Sequence, residues 1–210
     1  MINRKTPAQL DLMAAAGQVH ARCMKLLASK IRPGVTTAEL DEAAEKFIRS
    51  QGGIPTFKGF RGFPGSICAS PNSMVVHGIP GPYELKKGDI ISIDIGVTLD
   101  GWVADAACTF PVGPIDQETQ RMLEVTKESL DLGAAKMVPG NRVGDIGNAV
   151  QTHVEAAGFS IIRTLVGHGI GENMHEDPQI PNYGTPGKGA LIEEGMVFAI
   201  EPMVNAGGPD

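Results

Sequence analysis

An internal repeat constrains the fold of this chain more than any other feature. The segment Ile31–Gly34, Ile-Arg-Pro-Gly, recurs 106 residues later as Met137–Gly140, Met-Val-Pro-Gly. Each copy stands between two stretches that have the apolar periodicity of an amphipathic helix. The predicted helical stretches are residues 7–30 and 37–52 in the first copy, and residues 116–137 and 143–158 in the second.

The repeat continues into a β-rich run that ends in a carboxylate. Lys87–Asp94 matches Glu194–Glu201 at an offset of 107 residues, so the matches follow the same order in both copies. We therefore predict one domain, residues 1–210, made of two related helix–helix–strand halves, roughly 1–112 and 113–210, about a pseudo-twofold axis. A site built by both halves would receive equivalent residues from each.

Composition indicates an ordinary globular protein and argues against several other classes. The 210 residues are 42% hydrophobic and 20% charged; the net charge is −6 without a basic stripe, which disfavours nucleic acid as a partner. No apolar run is long enough to span a membrane, and residues 1–6 lack the apolar core of a signal peptide. Three widely spaced cysteines, Cys23, Cys68 and Cys108, favour reduced thiols in a cytoplasmic protein.

Two aspartates indicate a metal site. Ile90–Val97 is typical of a buried strand, and a charged Asp94 inside it is costly unless it is paired or binds a metal. Asp100-Gly101 is a hairpin turn signal, so Asp94 should face residue 107, and Asp105 should lie two residues along on the same face. This diagonal separates the Cα atoms by about 7–8 Å, which suits metal ions about 3.5–4 Å apart. Capping or solvation is the plainer explanation of a lone aspartate near a turn, whereas two aspartates on one face, one of them inside an isoleucine run, favour the metal site.

One glutamate and three histidines extend this set. Glu201 ends the second β-rich run, and His168 lies between two glycines that allow close approach of the backbone to a ligand. His77 and His175 lie in glycine- or proline-containing loops, where a histidine with ordinary partners is the alternative; for Glu201 it is a solvated edge residue. The chain lacks the His-Glu-x-x-His motif, a phosphate-binding loop and a Gly-x-Ser-x-Gly elbow. A carboxylate-rich set suits two divalent ions, which lower the pKa of a shared water from about 15.7 towards about 7.

Taken together, the motifs match a known family. In chain order they are His77-Gly-Ile-Pro, Asp94, Asp105, Gly-His168-Gly-Ile-Gly, His175-Glu-Asp-Pro and Glu201-Pro-Met. The set spans almost the whole chain and resembles the bacterial type I methionine aminopeptidases. The resemblance implies an α+β pita-bread fold, with two pseudo-symmetric helix–helix–strand halves around a curved antiparallel sheet. It also implies removal of the initiator methionine from nascent polypeptides.

The resemblance implies a role for each matched residue. Four residues would bind two divalent ions of Co, Mn, Fe or Zn: Asp94, Asp105, His168 and Glu201. His77 and His175 would contact the substrate and the tetrahedral intermediate, and Glu201 would double as general acid and base. The substrates would be nascent chains that begin with methionine, and the protein would act in the cytoplasm and associate transiently with the ribosome. No nucleic-acid motif and no membrane association are expected.

A further segment implies a methionine pocket. The stretch from Phe57 to Cys68 resembles the family's pocket segment, with Phe60 and Phe63 in place of frequent tyrosines and Phe57 in place of a frequent cysteine. Together with Met174, these aromatic and sulfur-containing side chains suit an unbranched thioether. Ordinary core packing is the alternative for each of them.

The sequence departs from the family near its end. The family has a fifth metal ligand, a glutamate on a strand after the Glu201 segment, whereas this sequence ends at Asp210. The expectation is a C-terminally truncated member that binds one ion, or two weakly, and is less stable than the complete family fold. The edge of the Glu201 strand would then be open to pairing with another chain.

Two other functions stay open. A pita-bread peptidase that cleaves Xaa-Pro bonds would share the ligands, but such enzymes usually have an extra N-terminal domain, and here the repeat begins almost at Met1. A non-catalytic binding protein would be expected to have lost ligands by substitution, whereas four of the family's five are retained. Type II methionine aminopeptidases differ at the loop around His168, which favours type I.

Overall fold

Four α-helices form within residues 2–209, the part of the chain that the computed structural model describes. They begin and end close to the predicted bounds, and the first begins and ends at the predicted residues. The helices are α1 (Pro7–Lys30), α2 (Thr37–Ser50), α3 (Gln117–Ala134) and α4 (Val143–Ala156). Among these described helices, none combines the length and apolar character that crossing a membrane would require.

The repeat is visible in the backbone where α2 and α4 begin. Thr36 precedes α2 and forms an isolated antiparallel bridge with Glu84, while Arg142 precedes α4 and forms the equivalent bridge with Leu191. The backbone N–H of Arg142 also donates to the carboxylate of Asp145 at 2.7 Å, which satisfies a polar group that the helix start would otherwise leave open. Both helices therefore start from a strand-like residue at the same point of the repeat.

The start of α2 is held by a reciprocal capping box. The Thr36 hydroxyl accepts from the Glu39 backbone N–H at 3.2 Å, and the Glu39 carboxylate accepts from the Thr36 backbone N–H at 2.7 Å. We expect Thr36→Ala to lower the free energy of unfolding by about 1 kcal/mol in urea denaturation. Lys127→Ala is the control, because the ion pair of Lys127 with Asp131 is exposed and its loss should leave the midpoint unchanged. Equal midpoints for Thr36→Ala and the unmodified chain would contradict the assigned cap.

One compact unit comprises residues 8–116 and 172–174. It contains a four-stranded antiparallel sheet whose longest strands are β3 (Ile90–Leu99) and β4 (Trp102–Pro111). The other edge of β3 pairs with β1 (Ile54–Pro55) and β2 (Ile67–Pro71). A 3₁₀ turn, residues 60–62, lies between β1 and β2.

The isoleucine-rich sequence of β3 explains how this sheet is anchored. The odd-numbered residues from Ile91 to Val97 are fully buried in a core that includes Leu27 of α1 and Leu40 of α2. Because successive side chains of a strand point to opposite faces, the even-numbered residues, including Asp94, lie on the other face. Burial of one face therefore determines where the acidic side chain points.

The second unit comprises residues 2–7, 117–171 and 175–209 and has short antiparallel strands. Strand β6 (Gly167–Gly169) lies between β7 (Glu176–Ile180) and β8 (Phe198–Ala199), while β5 (Ser160–Ile161) pairs with β9 (Val204–Asn205). Buried apolar residues form two clusters with α4: Val125, Val150, Val154, Phe159 and Ile161 in one, and Val143, Ile146, Ile180 and Ile192 in the other.

The strand before Glu201 is shorter than its counterpart in the first unit. The predicted run Val197–Ile200 contributes only Phe198 and Ala199 to β8, so Glu201 follows the strand, whereas Asp94 lies inside β3. Pro202 has no backbone N–H to donate, which is incompatible with continued pairing beyond Glu201. The two carboxylates are therefore equivalent in sequence but are presented by different local structure.

Candidate metal centre

Asp94 and Asp105 lie on one face of the β3–β4 hairpin, in the predicted register. Asp94 pairs with Ala107 and Asp105 with Gly96, so the two aspartates are diagonal neighbours. The turn residues Asp100-Gly101 have φ values of 50° and 83°, and a type I′ turn requires positive φ at both of its central residues. Both aspartates are half-buried. The predicted pairing, which directs two carboxylates to the same face, is confirmed.

Two predicted pocket residues lie on this same face. Cys68 of β2 pairs with Asp94, and a Cβ atom added to Gly96 would lie 2.7 Å from Cε1 of Phe57, so the phenyl ring covers Gly96. Burial, together with the negative charges of Asp94 and Asp105, raises the pKa of the Cys68 thiol to about 12. The thiol is therefore neutral beside two carboxylates, whose field favours a bound cation.

The other predicted pocket residues, Phe60, Phe63 and Met174, lie outside the strands of the same unit. Phe60 is 38% exposed on the 3₁₀ turn, with the Arg61 guanidinium 5.3 Å from its ring centroid. Phe63 follows this turn and is half-buried. Met174 is buried and belongs to the short segment 172–174 that groups with residues 8–116. Their common role in a pocket stays a prediction.

His77 is held beside β2 by its neighbour. It is exposed and has a φ of 58°, a left-handed conformation that is uncommon outside glycine. The Gly78 backbone bonds to β2 in both directions: its oxygen accepts from the Ala69 N–H at 2.9 Å, and its N–H donates to Ser70 Oγ at 3.0 Å. The His77 backbone also hydrogen-bonds the Cys68 side chain, which is across from Asp94 in the sheet.

His168 is presented in the form that binds metals. Its Nδ1 lies 2.9 Å from the backbone oxygen of Gly169. A carbonyl oxygen can only accept, so Nδ1 carries the proton, and in the neutral imidazole Nε2 then carries the lone pair, as in metal-binding histidines. Nε2 lies 3.7 Å from Oε1 of Glu201, a gap that two metal–ligand bonds of about 2.0–2.2 Å could bridge. The imidazole is buried, so its orientation is well defined.

Two further features position His168 and Glu201. A Cβ atom on Gly167 would overlap the backbone oxygen of Ala199, so only glycine allows β6 to approach β8 this closely. Asn182, which is fully buried, donates from Nδ2 to the backbone oxygen of Glu201 at 2.6 Å. Asn182 was not predicted from sequence, because it lies in a loop without a motif and acts on a residue 19 positions away.

His175 lies against His168. The two ring centroids are 4.3 Å apart and the rings are tilted by 52°. His175 is exposed, whereas His168 is buried. This combination is compatible with the predicted role, because a substrate-contacting group has to be reached from solvent.

The residue types of the predicted ligand set suit a divalent metal. Carboxylates and one imidazole are the ligands that Mn, Fe, Co and Zn accept in proteins. Within the first unit, the hairpin presents the carboxylates of Asp94 and Asp105 on one face. Within the second unit, an imidazole nitrogen of His168 lies near a carboxylate oxygen of Glu201. Donors of these types are typical of a metal-dependent hydrolase.

The chain belongs to metallopeptidase family M24, whose family model matches residues 11–209. It is 54% identical over 207 residues to methionine aminopeptidase 1 of Bacillus subtilis, and the match covers 99% of this chain and 84% of that protein. The crystal structure of methionine aminopeptidase from Rickettsia prowazekii matches with a TM-score of 0.98 and 41% identity, covering 100% of this chain and 85% of that one.

More distant structures share the fold alone. Xaa-Pro dipeptidase from Bacillus anthracis matches with a TM-score of 0.81 but only 22% identity, covering 95% of this chain and 54% of that one. The matches confirm the α+β pita-bread fold and the resemblance to bacterial methionine aminopeptidases. The alternative of an Xaa-Pro peptidase is not favoured, because the identity is much lower.

Proposed function

We propose that this chain removes methionine from the N-termini of peptides by metal-assisted hydrolysis. Four residues would bind two divalent ions: Asp94, Asp105, His168 and Glu201. The observation that carries the proposal is the arrangement of His168, whose hydrogen bond to Gly169 leaves Nε2 directed at the carboxylate of Glu201. The 54% identity to a methionine aminopeptidase supports the substrate class.

The chemistry of each side chain suggests its role in the reaction. Bound divalent ions would lower the pKa of a water molecule and polarise the scissile carbonyl. Glu201 would accept the proton of the attacking water at its carboxylate and deliver it to the leaving amine. His77 and His175 would donate hydrogen bonds to the substrate carbonyl oxygen as negative charge develops on it.

An apolar pocket would select methionine. The substrate side chain would lie against Phe57 and Cys68, beside the aspartates, because these two residues share a face with Asp94. Phe60, Phe63 and Met174 would complete the wall. Sulfur–aromatic contacts and an unbranched shape favour a thioether over charged side chains.

The substrate class also suggests where the protein acts and with what. N-terminal methionine is a feature of nascent chains, so we propose that the protein works in the cytoplasm and associates transiently with the ribosome. The ions would be Mn, Fe, Co or Zn according to availability, because these donors do not discriminate strongly among them.

A peptide assay with metal analysis tests this function. The chain should release methionine from Met-Ala-Ser. It should cleave Ala-Pro at a rate at least about 100-fold lower, because the pocket discriminates between the side chains of the first residue. EDTA should abolish the release, and Mn²⁺ or Co²⁺ should restore it, with elemental analysis giving one ion per chain, or two at excess metal. Faster cleavage of Ala-Pro would favour an Xaa-Pro peptidase. Peptide binding without any bound metal would favour a non-catalytic binding protein.

A further inference from the structure

The N-terminal arm, residues 3–5, is fixed to the rest of its unit by backbone contacts. The Arg4 Nε donates to the backbone oxygen of Glu194 at 3.0 Å, and the Lys5 backbone N–H donates to the oxygen of Gly195 at 2.7 Å. The path of the arm is thereby defined at Lys5. The Lys5 side chain is only 4% exposed, so it is directed into the unit rather than into solvent.

The inward side chain of Lys5 ends in a buried ion pair. Its Nζ lies 2.8 Å from Oε2 of Glu176, whose side chain is 5% exposed, and Asn3 Nδ2 donates to the same oxygen at 3.3 Å. Removing two charges from water opposes folding, and the attraction between them often only offsets this cost. The ion pair therefore contributes little to the stability of the fold, but it does fix the position of the Glu176 side chain.

The glycine sequence around His168 leaves room for the pair. A Cβ atom on Gly171 would lie 2.6 Å from Oε1 of Glu176 and 2.6 Å from Cε of Lys5. Both members of the pair therefore pack directly against the Gly171 backbone. The carboxylate of Glu176 is held between the Lys5 ammonium and the backbone at the end of the Gly-His168-Gly-Ile-Gly segment.

Glu176 is the residue that follows His175. It is the first residue of β7 and pairs with Gly169, which follows His168. His175 lies in a bend immediately before the strand. The Glu176 side chain is buried towards Lys5, whereas His175 is exposed, with its ring 4.3 Å from that of His168. Fixing the Glu176 carboxylate therefore restrains the backbone from which His175 projects.

We propose that Lys5 is a positioning residue for His175, acting through its buried ion pair with Glu176. This rests on the proposed function, in which His175 donates a hydrogen bond to the developing oxyanion. A residue more than 160 positions away in sequence thereby sets the geometry of a substrate-contacting histidine. Lys5 itself is not a catalytic residue, because its ammonium group is engaged with Glu176 inside the unit.

Steady-state kinetics of single and double variants test this proposal. Lys5→Met keeps the length of the side chain but removes the charge, and should lower kcat about 10- to 100-fold, as loss of an orienting partner does elsewhere. KM should change less than about twofold, because the contact of His175 strengthens as the reaction proceeds. In a His175→Ala background, Lys5→Met should change kcat less than about twofold. A merely structural Lys5 would lower kcat by the same factor in both backgrounds, which would overturn the proposal.

The controls separate this proposal from the proposed function. Lys127→Met makes the same side-chain change at an exposed ion pair with Asp131 on α3 and should leave kcat unchanged. Metal content by elemental analysis should be equal in Lys5→Met and the unmodified chain. If His175→Ala lowers kcat but Lys5→Met does not, only the role of Lys5 is wrong. If His175→Ala leaves kcat unchanged, the proposed role of His175 is wrong, and the positioning role is overturned with it.

A second variant serves if Lys5→Met does not fold. Glu176→Gln keeps the side-chain volume and an oxygen that can accept from Lys5, and removes the charge that strengthens this hydrogen bond. It should lower kcat in the unmodified background and have no further effect with His175→Ala. An unchanged kcat for a folded Glu176→Gln variant, or additive losses in the double variant, would overturn the proposal.

Discussion

Asp94→Asn should lower kcat/KM for a methionyl peptide by about 10³-fold or more while the protein stays folded. Asparagine matches the shape of aspartate but offers a metal only a neutral carbonyl oxygen, so the charge that attracts the ion is lost. A factor of 10³ corresponds to about 4 kcal/mol of barrier, which is modest beside the shift in water pKa that bound ions supply. The measurement is peptide turnover together with elemental analysis of the purified variant.

The same substitution should raise the stability of the metal-free protein. Asp94 lies in a strand whose neighbouring residues, Ile93 and Ile95, are fully buried, and it shares its face with Asp105. Partial burial of one carboxylate beside another opposes folding, so neutralising Asp94 should raise the free energy of unfolding by about 1 kcal/mol. Urea denaturation in EDTA measures this. Loss of activity combined with a gain of stability would distinguish a functional carboxylate from a structural one.

Asp100→Asn is the matched control for this prediction. It makes the same chemical change on the same hairpin, at an exposed turn residue with a φ of 50°. Asparagine is favoured at that position of a type I′ turn, so the hairpin should be preserved. Turnover, metal content and the denaturation midpoint should match those of the unmodified chain. If Asp94→Asn behaved like Asp100→Asn, the assignment of Asp94 as a metal ligand would be wrong.

The helices and the β3–β4 hairpin could be predicted well from sequence. The helices follow an apolar periodicity that is local, so α1 has its predicted bounds and α2 begins at the predicted Thr37. The pairing of Asp94 with Ala107 follows from one turn signal and the period of two along a strand. Local chemistry determines these features, which is why no knowledge of distant contacts was required.

Long-range contacts could not be predicted in this way. Asn182 reaches the backbone of Glu201, and Lys5 reaches Glu176, but neither residue carries a motif that names its partner. Such pairs depend on how separate segments pack, and a polar residue in a loop has many ways to satisfy its hydrogen bonds. The resemblance to a family predicts the ligands, but it names none of the residues that support them.

The equivalence of Asp94 and Glu201 in the repeat also proved incomplete in structural terms. A ten-residue strand with a fully paired partner, β4, holds Asp94 in place. Glu201 follows a two-residue strand and is held instead by the side chain of Asn182. Sequence repetition predicts which positions correspond, whereas the length of each strand depends on the pairing available to it.

Gly167→Ala should destabilise the second unit by about 2–3 kcal/mol and abolish metal binding. A Cβ atom at Gly167 would overlap the backbone oxygen of Ala199, and a backbone neighbour cannot move aside as a flexible side chain can. Over-filling a tight contact typically costs about 1–3 kcal/mol and shifts the backbone. Here the shift would separate β6, which carries His168, from β8, which leads into Glu201. Urea denaturation and elemental analysis measure the two effects.

Gly17→Ala is the control that makes this outcome specific to close approach rather than to glycine as such. Gly17 lies within α1, and a Cβ atom there would meet nothing within 4 Å. Alanine in a helix interior is favoured over glycine by about 0.5–1 kcal/mol, so this variant should be more stable and fully active. A lower free energy of unfolding for Gly167→Ala and a higher one for Gly17→Ala would show that the close spacing of β6 and β8 requires glycine at position 167. A Gly167→Ala variant with normal metal content would instead show that His168 and Glu201 do not depend on this spacing to bind the ions.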